Sequence, residues 1–251
     1  VPGPGAAQLL EVWGNGLGQD PVRRALVMLA AAVPDADPDG LVDWPLGRRD
    51  TQLLAFRASL FGAGLEAIAQ CPGCGMEVVL AFTAADLAAP QYAQSAAPLT
   101  VSLERYEATL RPVTSRDLLA LDRTNPEQLD SDSASPAETA LAARCITAVT
   151  EGGAPVDPGT LPPEVLATLG EELGRADPAA ATELSVQCPG CGQGWLAPFH
   201  IASYLWSELH HWARRLLIDV HTLARAYGWS ERDILALPPL RRQAYLGLVA
   251  T

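Results

Sequence analysis

Lysine is missing from these 251 residues, so all 17 basic side chains are arginine. This reads as a consequence of base composition rather than of mechanism. Charged residues make up only 18% of the chain, against 49% hydrophobic. That balance excludes a disordered polyelectrolyte and fits a folded protein with a sizeable core. No run of 18 apolar residues occurs, which argues against a membrane-spanning helix. The apolar stretch Ala25–Val33 follows Asp20-Pro21 and lacks a convincing cleavage site, so it reads as a core helix rather than a secretory signal.

Catalytic signatures are equally sparse. There is no His-Glu-x-x-His, no Gly-x-Ser-x-Gly and no phosphate-cradling loop. The four histidines, His200, His210, His211 and His221, fall in the last fifth of the chain. His210 and His211 diverge on a helix, and His221 lies three turns beyond His210, roughly 16 Å along the axis and too far to share a metal. The carboxylates are scattered over loops. No catalytic residue is assigned, and the chain is expected not to be an enzyme.

What is present is specific. Cys-Pro-Gly-Cys-Gly occurs twice, at Cys71–Gly75 and Cys188–Gly192. Two such turns supply four thiolates, Cys71, Cys74, Cys188 and Cys191, the number a tetrahedral structural zinc site takes. The proline fixes φ after the first ligand, and the closing glycine admits a left-handed turn that aims N–H groups at sulfur. The 113 residues between Cys74 and Cys188 far exceed the usual spacing of about 15–20. Closing so long a loop costs about 4–5 kcal/mol, whereas structural zinc is worth about 10–16. One shared zinc, as a structural cofactor, is therefore the expectation. Two local disulfides or a redox dithiol are the alternatives, although neither pair opens the helix of a thioredoxin-like unit. His200 is a further alternative ligand. Cys145, inside an apolar run, is expected to be buried. The cysteine usage points to a reducing cytoplasm.

Charge is unevenly placed. The net charge is −12, yet residues 200–251 hold six arginines and only four acids. The acidic remainder disfavours nucleic-acid binding, while the basic end reads as a solvated helix face or a dock for an acidic surface.

Hydrophobic periodicity and turn chemistry predict an α+β fold, predominantly helical. Residues 1–19 are read as a flexible N-terminus with a short helix near Gln8–Trp13, and 20–62 as N-terminal helices. Residues 63–111 and 183–200 form a small zinc-ribbon-like β unit of hairpins around the knuckles. Residues 112–182 are read as an inserted helical subdomain, with helices from Arg116 to about Arg123, over Ala137–Val149 and over Glu164–Leu173, and a polar loop at Asn125–Pro136. Residues 201–251 form a C-terminal helical segment whose long helix, Ile201–Tyr227, carries Leu205, Leu209, Trp212, Leu216, Val220 and Leu223 on one stripe.

Several stretches together carry a resemblance. They are Asp43-Trp-Pro-Leu-Gly-Arg-Arg-Asp50, Leu60-Phe-Gly62, Arg111-Pro-Val-Thr-Ser-Arg-Asp-Leu118, the segment Trp206–Tyr227, and Trp229-Ser-Glu-Arg-Asp-Ile-Leu-Ala-Leu237. With the knuckles, they make the chain resemble the zinc-knuckle proteins encoded beside contractile phage-tail-like injection systems. It is also similar to the baseplate hub assembly chaperones of contractile-tail phages. The resemblance covers most of residues 20–249. It implies a particle-assembly or baseplate role, zinc at Cys71, Cys74, Cys188 and Cys191, and no catalysis. Protein partners would be baseplate, spike or tail-tube components, without nucleic acid or membrane insertion, in the cytoplasm or within an assembled particle. A zinc-ribbon nucleic-acid or transcription adaptor and a dithiol redox enzyme are the competing readings.

Overall fold

The computed structural model describes residues 4–87, 98–121 and 136–249. Its first part runs through α1 (Ala6–Gly16), α2 (Pro21–Ala32), α3 (Leu46–Phe61), β1 (Gly64–Gln70), β2 (Glu77–Thr83) and α4 (Ala84–Leu87). The middle holds β3 (Leu99–Leu103), β4 (Tyr106–Leu110), α5 (Ser115–Leu121), α6 (Pro136–Cys145), β5 (Ile146–Glu151), β6 (Ala154–Pro155) and α7 (Pro163–Ala176). The chain continues through β7 (Glu183–Gln187), β8 (Gly194–Pro198), α8 (Ile201–Tyr227), α9 (Glu231–Leu235) and α10 (Pro239–Val249). Helix accounts for 58% and strand for 20% of the described residues, in small antiparallel sheets. The fold is thus α+β and predominantly helical, as expected.

Two compact units divide the chain: Val1–Pro34 with Ala202–Thr251, and Asp35–Ile201. This differs from the boundaries drawn from sequence. The helices expected together over 20–62 are split, α2 falling in the first unit and α3 in the second. The N-terminus expected to be flexible forms α1, whose Trp13 indole N–H donates to His210 Nδ1 at 3.1 Å.

In the first unit, α2 begins as its sequence dictates. Asp20 accepts the Arg23 N–H at 2.9 Å and Pro21 opens the first turn. Leu205, Leu209, Ala213, Leu216, Val220 and Leu223 form the buried stripe of α8, recurring every three or four residues. Ala213 takes the place expected for Trp212, which is half-buried beside it. Ser230 caps α9 by accepting the Asp233 N–H at 3.2 Å. Tyr227 stacks on Trp229, and Tyr245 meets Trp229 edge-on at 4.9 Å, tying α10 to the end of α8.

The second unit has its core between a four-stranded sheet, ordered β3-β4-β5-β6, and the pair α6 and α7. Leu110, Cys145 and Leu169 are completely buried there, and Cys145 is the core residue expected. The helix expected to run to Val149 stops at Cys145. Ile146, Thr147, Val149 and Thr150 are β-branched, and the unpaired edge of β4 offers them a partner. The segment 112–182 is therefore not wholly helical. The polar loop expected over 125–136 lies outside the described residues, except that Pro136 opens α6.

Helix α3 begins at Leu46, directly after Pro45. Its first N–H groups are capped from far along the chain. Leu46 N–H donates to the Val113 carbonyl at 2.9 Å, and Gly47 N–H to Asp177 Oδ2 at 2.9 Å. Among the described residues, no helix is long and apolar enough to cross a membrane.

Candidate metal centre

Each Cys-Pro-Gly-Cys-Gly turn forms the tip of a two-stranded hairpin, β1-β2 for the first and β7-β8 for the second. The two tips are built alike. Gly75 N–H donates to the Cys71 carbonyl at 2.8 Å, and Gly192 N–H to that of Cys188 at 2.9 Å. Cys71 N–H then donates to the Met76 carbonyl at 2.9 Å, and Cys188 N–H to that of Gln193 at 2.8 Å. Gly75 and Gly192 have φ of 72° and 76°, the left-handed turn that glycine alone adopts cheaply.

The tips converge. One sulfur from each of Cys71, Cys74, Cys188 and Cys191 lies within 4.8 Å of the others. Cys71 Sγ is 3.6 Å from Cys191 Sγ, and Cys74 Sγ is 3.6 Å from Cys188 Sγ. All four are free thiols. Tetrahedral thiolate ligands about 2.3 Å from one ion stand roughly 3.8 Å apart, so the cluster fits a single metal ion. Both of these pairs join opposite hairpins, so an ion held there would be shared between them. Cys71 and Cys188 are buried, while Cys74 and Cys191 lie at the exposed rim. The hairpins also meet at their other end, where Phe82 and Phe199 pack edge to face at 5.3 Å.

Backbone N–H groups point at the sulfurs, as the turn chemistry predicts. Cys188 receives them from Cys191 and Gly190, which together with the neighbouring thiols bring it down to about 6. The Met76 N–H acts in the same sense on Cys74, but the sulfurs of Cys188 and Cys191 outweigh it and push that thiol up to about 12. Gln193 N–H assists Cys191, yet the sulfurs of Cys71 and Cys188 leave it raised. Four thiols this close cannot all ionise beside one another. A bound cation removes that conflict and deprotonates its ligands.

The remaining sequence candidates fall elsewhere. His200 is not among the clustered ligands. His210 accepts from Trp13, and His211 pairs with the Ser207 carbonyl through Nδ1 at 2.7 Å.

The stretches Asp43–Asp50 and Arg111–Leu118 meet one another. Arg116 grips Asp43 through two hydrogen bonds, of 2.6 and 2.9 Å. Pro45 bridges Thr114, and the buried Arg49 donates to Ser115 Oγ at 3.1 Å. Asp117, fully buried, takes bonds of 2.7 Å from both Arg111 Nη1 and Nη2 and from the Thr114 hydroxyl. Arg49 and Pro45 thus fasten the start of α3 to α5, while Asp117 ties α5 to Arg111 at the end of β4. Sequence spacing, which separates the stretches by some sixty residues, carries no sign of that contact.

No protein-family model, no curated protein and no solved structure matches this chain.

Proposed function

We propose that this chain is a non-enzymatic structural or assembly protein held together by one structural zinc ion. Its setting is the contractile phage-tail-like particle, as a baseplate component or baseplate assembly chaperone. The observation that carries the first part is the convergence of four cysteine sulfurs from hairpins 113 residues apart. Tetrahedral sites made only of sulfur favour zinc or iron. Zinc fits a single-ion site with no redox task, and four protein ligands leave no position for substrate. The particle setting rests on the resemblance of the motifs, several of which form the α3–α5 fastening described above.

The knuckle hairpins also offer a surface for protein contact. Ile68 and Val79, paired across β1 and β2, are 67% and 68% exposed, and Leu196 on β8 is 59% exposed. We read these open apolar side chains as available for protein contact.

Elemental mass spectrometry on protein purified without added metal, with a chelator melt alongside, tests the clasp. One zinc per chain and loss of the folded second unit on chelation are expected. Iron in its place, or a metal-free protein that melts unchanged, overturns the zinc assignment. Co-expression with baseplate, spike and tail-tube proteins tests the setting. Co-purification with one of them supports it, whereas a free monomer in lysates containing assembling particles refutes it.

A further inference from the structure

Most buried arginines here have partners. Arg49 donates to Asp50 and Ser115, and Arg57 to the Gly62 and Gly64 carbonyls. Arg242, on α10, differs. Its side chain is 9% exposed, yet Nε and Nη1 are buried with no hydrogen-bond partner among the described residues. The nearest carboxylate oxygen, Asp219 Oδ2, stands 3.7 Å from Nε, beyond hydrogen-bond reach. Asp219 balances the charge, but buried N–H groups left without an acceptor are still disfavoured.

Arg242 lines a cavity of about 360 Å³ between α8 and α10. That volume lies in the range of small-ligand sites. Trp212, Arg215, Leu216 and Asp219 contribute one face of α8, and Gln243 joins Arg242 from α10. The aromatic group of Tyr227, Trp229 and Tyr245 fixes the two helices in this relation. The cavity thus presents two guanidinium groups, one amide, one carboxylate and an indole wall.

We propose that this cavity binds a carboxylate. Its oxygens would satisfy Arg242 with help from Arg215, whose planar forks match a carboxylate's two oxygens. Its carbon chain would rest against Trp212 and Leu216. The charge count selects a monoanion. Two arginines against ionised Asp219 leave one positive charge, which one carboxylate neutralises and a phosphate dianion would exceed. The carboxylate can come from a free short acid or from a glutamate side chain of a partner protein. The inference depends neither on the metal nor on the particle setting.

The test is NMR titration of the full chain, following the arginine Nε–Hε resonances of residues 215 and 242. Propionate, propionamide and inorganic phosphate are compared at constant ionic strength. Two capped tripeptides, Ala-Glu-Ala and Ala-Gln-Ala, form a second arm. Propionate is expected to shift both resonances saturably and propionamide to leave them in place. R215Q, at an exposed position the fold tolerates, should weaken binding at least tenfold, and R242Q should abolish it without lowering the melting temperature. Tighter binding of the glutamate peptide assigns the site to a protein partner, and tighter binding of propionate to a free acid; either supports the site. Equal shifts with propionate and propionamide, saturation by phosphate at lower concentration, or unchanged binding in R215Q would overturn it.

Discussion

The carboxylate of Asp177 occupies the space that a side chain at position 47 would need. Its Oδ2 accepts the Gly47 N–H at 2.9 Å, and a Cβ on Gly47 would stand 1.8 Å from Oδ1. One contact thus caps α3 and joins it to the segment after α7. Gly47→Ala is expected to cost about 2–3 kcal/mol, since overpacking is joined by loss of the cap. Burial, with the charge of Asp50 nearby, holds the Asp177 carboxyl above its usual range, so a neutral acceptor serves nearly as well. Asp177→Ala should cost about 1–2 kcal/mol at pH 7, and Asp177→Asn distinctly less. Urea unfolding of the three variants checks the order; equal losses for the alanine and asparagine variants would refute the capping role.

Acid should loosen the start of α5, where Asp117 holds Arg111 and Thr114. Burial opposes the charge on Asp117, but Arg111 and Thr114 outweigh it and hold the carboxyl below its usual range. A depressed folded value means stability that is present above the unfolded value of about 3.9 and lost as pH falls through the folded one. Asp117→Asn is expected to cost about 2–3 kcal/mol at pH 7, with the gap to wild type closing below about pH 4. Denaturant curves across that range give the answer, and a gap that persists at low pH would count against the ionic origin.

The neighbouring pair Asp43–Arg116 makes a control. Its side chains are 54% and 59% exposed. A double-mutant cycle should return less than about 1 kcal/mol, shrinking further in high salt. A larger, salt-insensitive coupling would mean that the pair is not behaving as a solvated contact.

Thiol reactivity separates the five cysteines. Replacing Cys71, Cys74, Cys188 or Cys191 singly by serine is expected to remove the metal and destabilise the second unit, whereas Cys145→Ser should retain it. Burial, with Asp117 nearby, pushes the Cys145 thiol up to about 11, so it should resist a disulfide reagent at pH 8 until the protein is unfolded. The other four should react only after chelation. Prompt reaction of the exposed Cys74 and Cys191 in freshly purified protein would indicate that no ion is held.

The two knuckles and their hairpins were legible because all their information is local. Ligands, proline, glycine and alternating strands lie within a few residues of one another. Helices α2 and α8 were legible for the same reason, through Asp20-Pro21 and the spacing of Leu205, Leu209 and Leu216. What escaped depends on distant partners. Nothing near Gly47 announces the carboxylate at 177. The switch from helix to strand after Cys145 is decided by the free edge of β4. The buried guanidinium of Arg242, ion-paired with Asp219 but short of hydrogen bonds, emerges only when α10 is laid beside α8, since in sequence it is one of six arginines in a basic tail.

The placement of the four cysteines has a mechanical consequence once an ion is bound. Tension applied between a residue before Cys71 and one after Cys191 would pass from one hairpin tip to the other through metal–thiolate bonds. The 113 residues between Cys74 and Cys188 would be shielded from much of it. Rupture of the ion site would then put the core of β3–β6, α6 and α7 under load, and its unfolding would release roughly 400 Å of extended chain. Chelated protein stretched in the same way would yield by gradual unravelling.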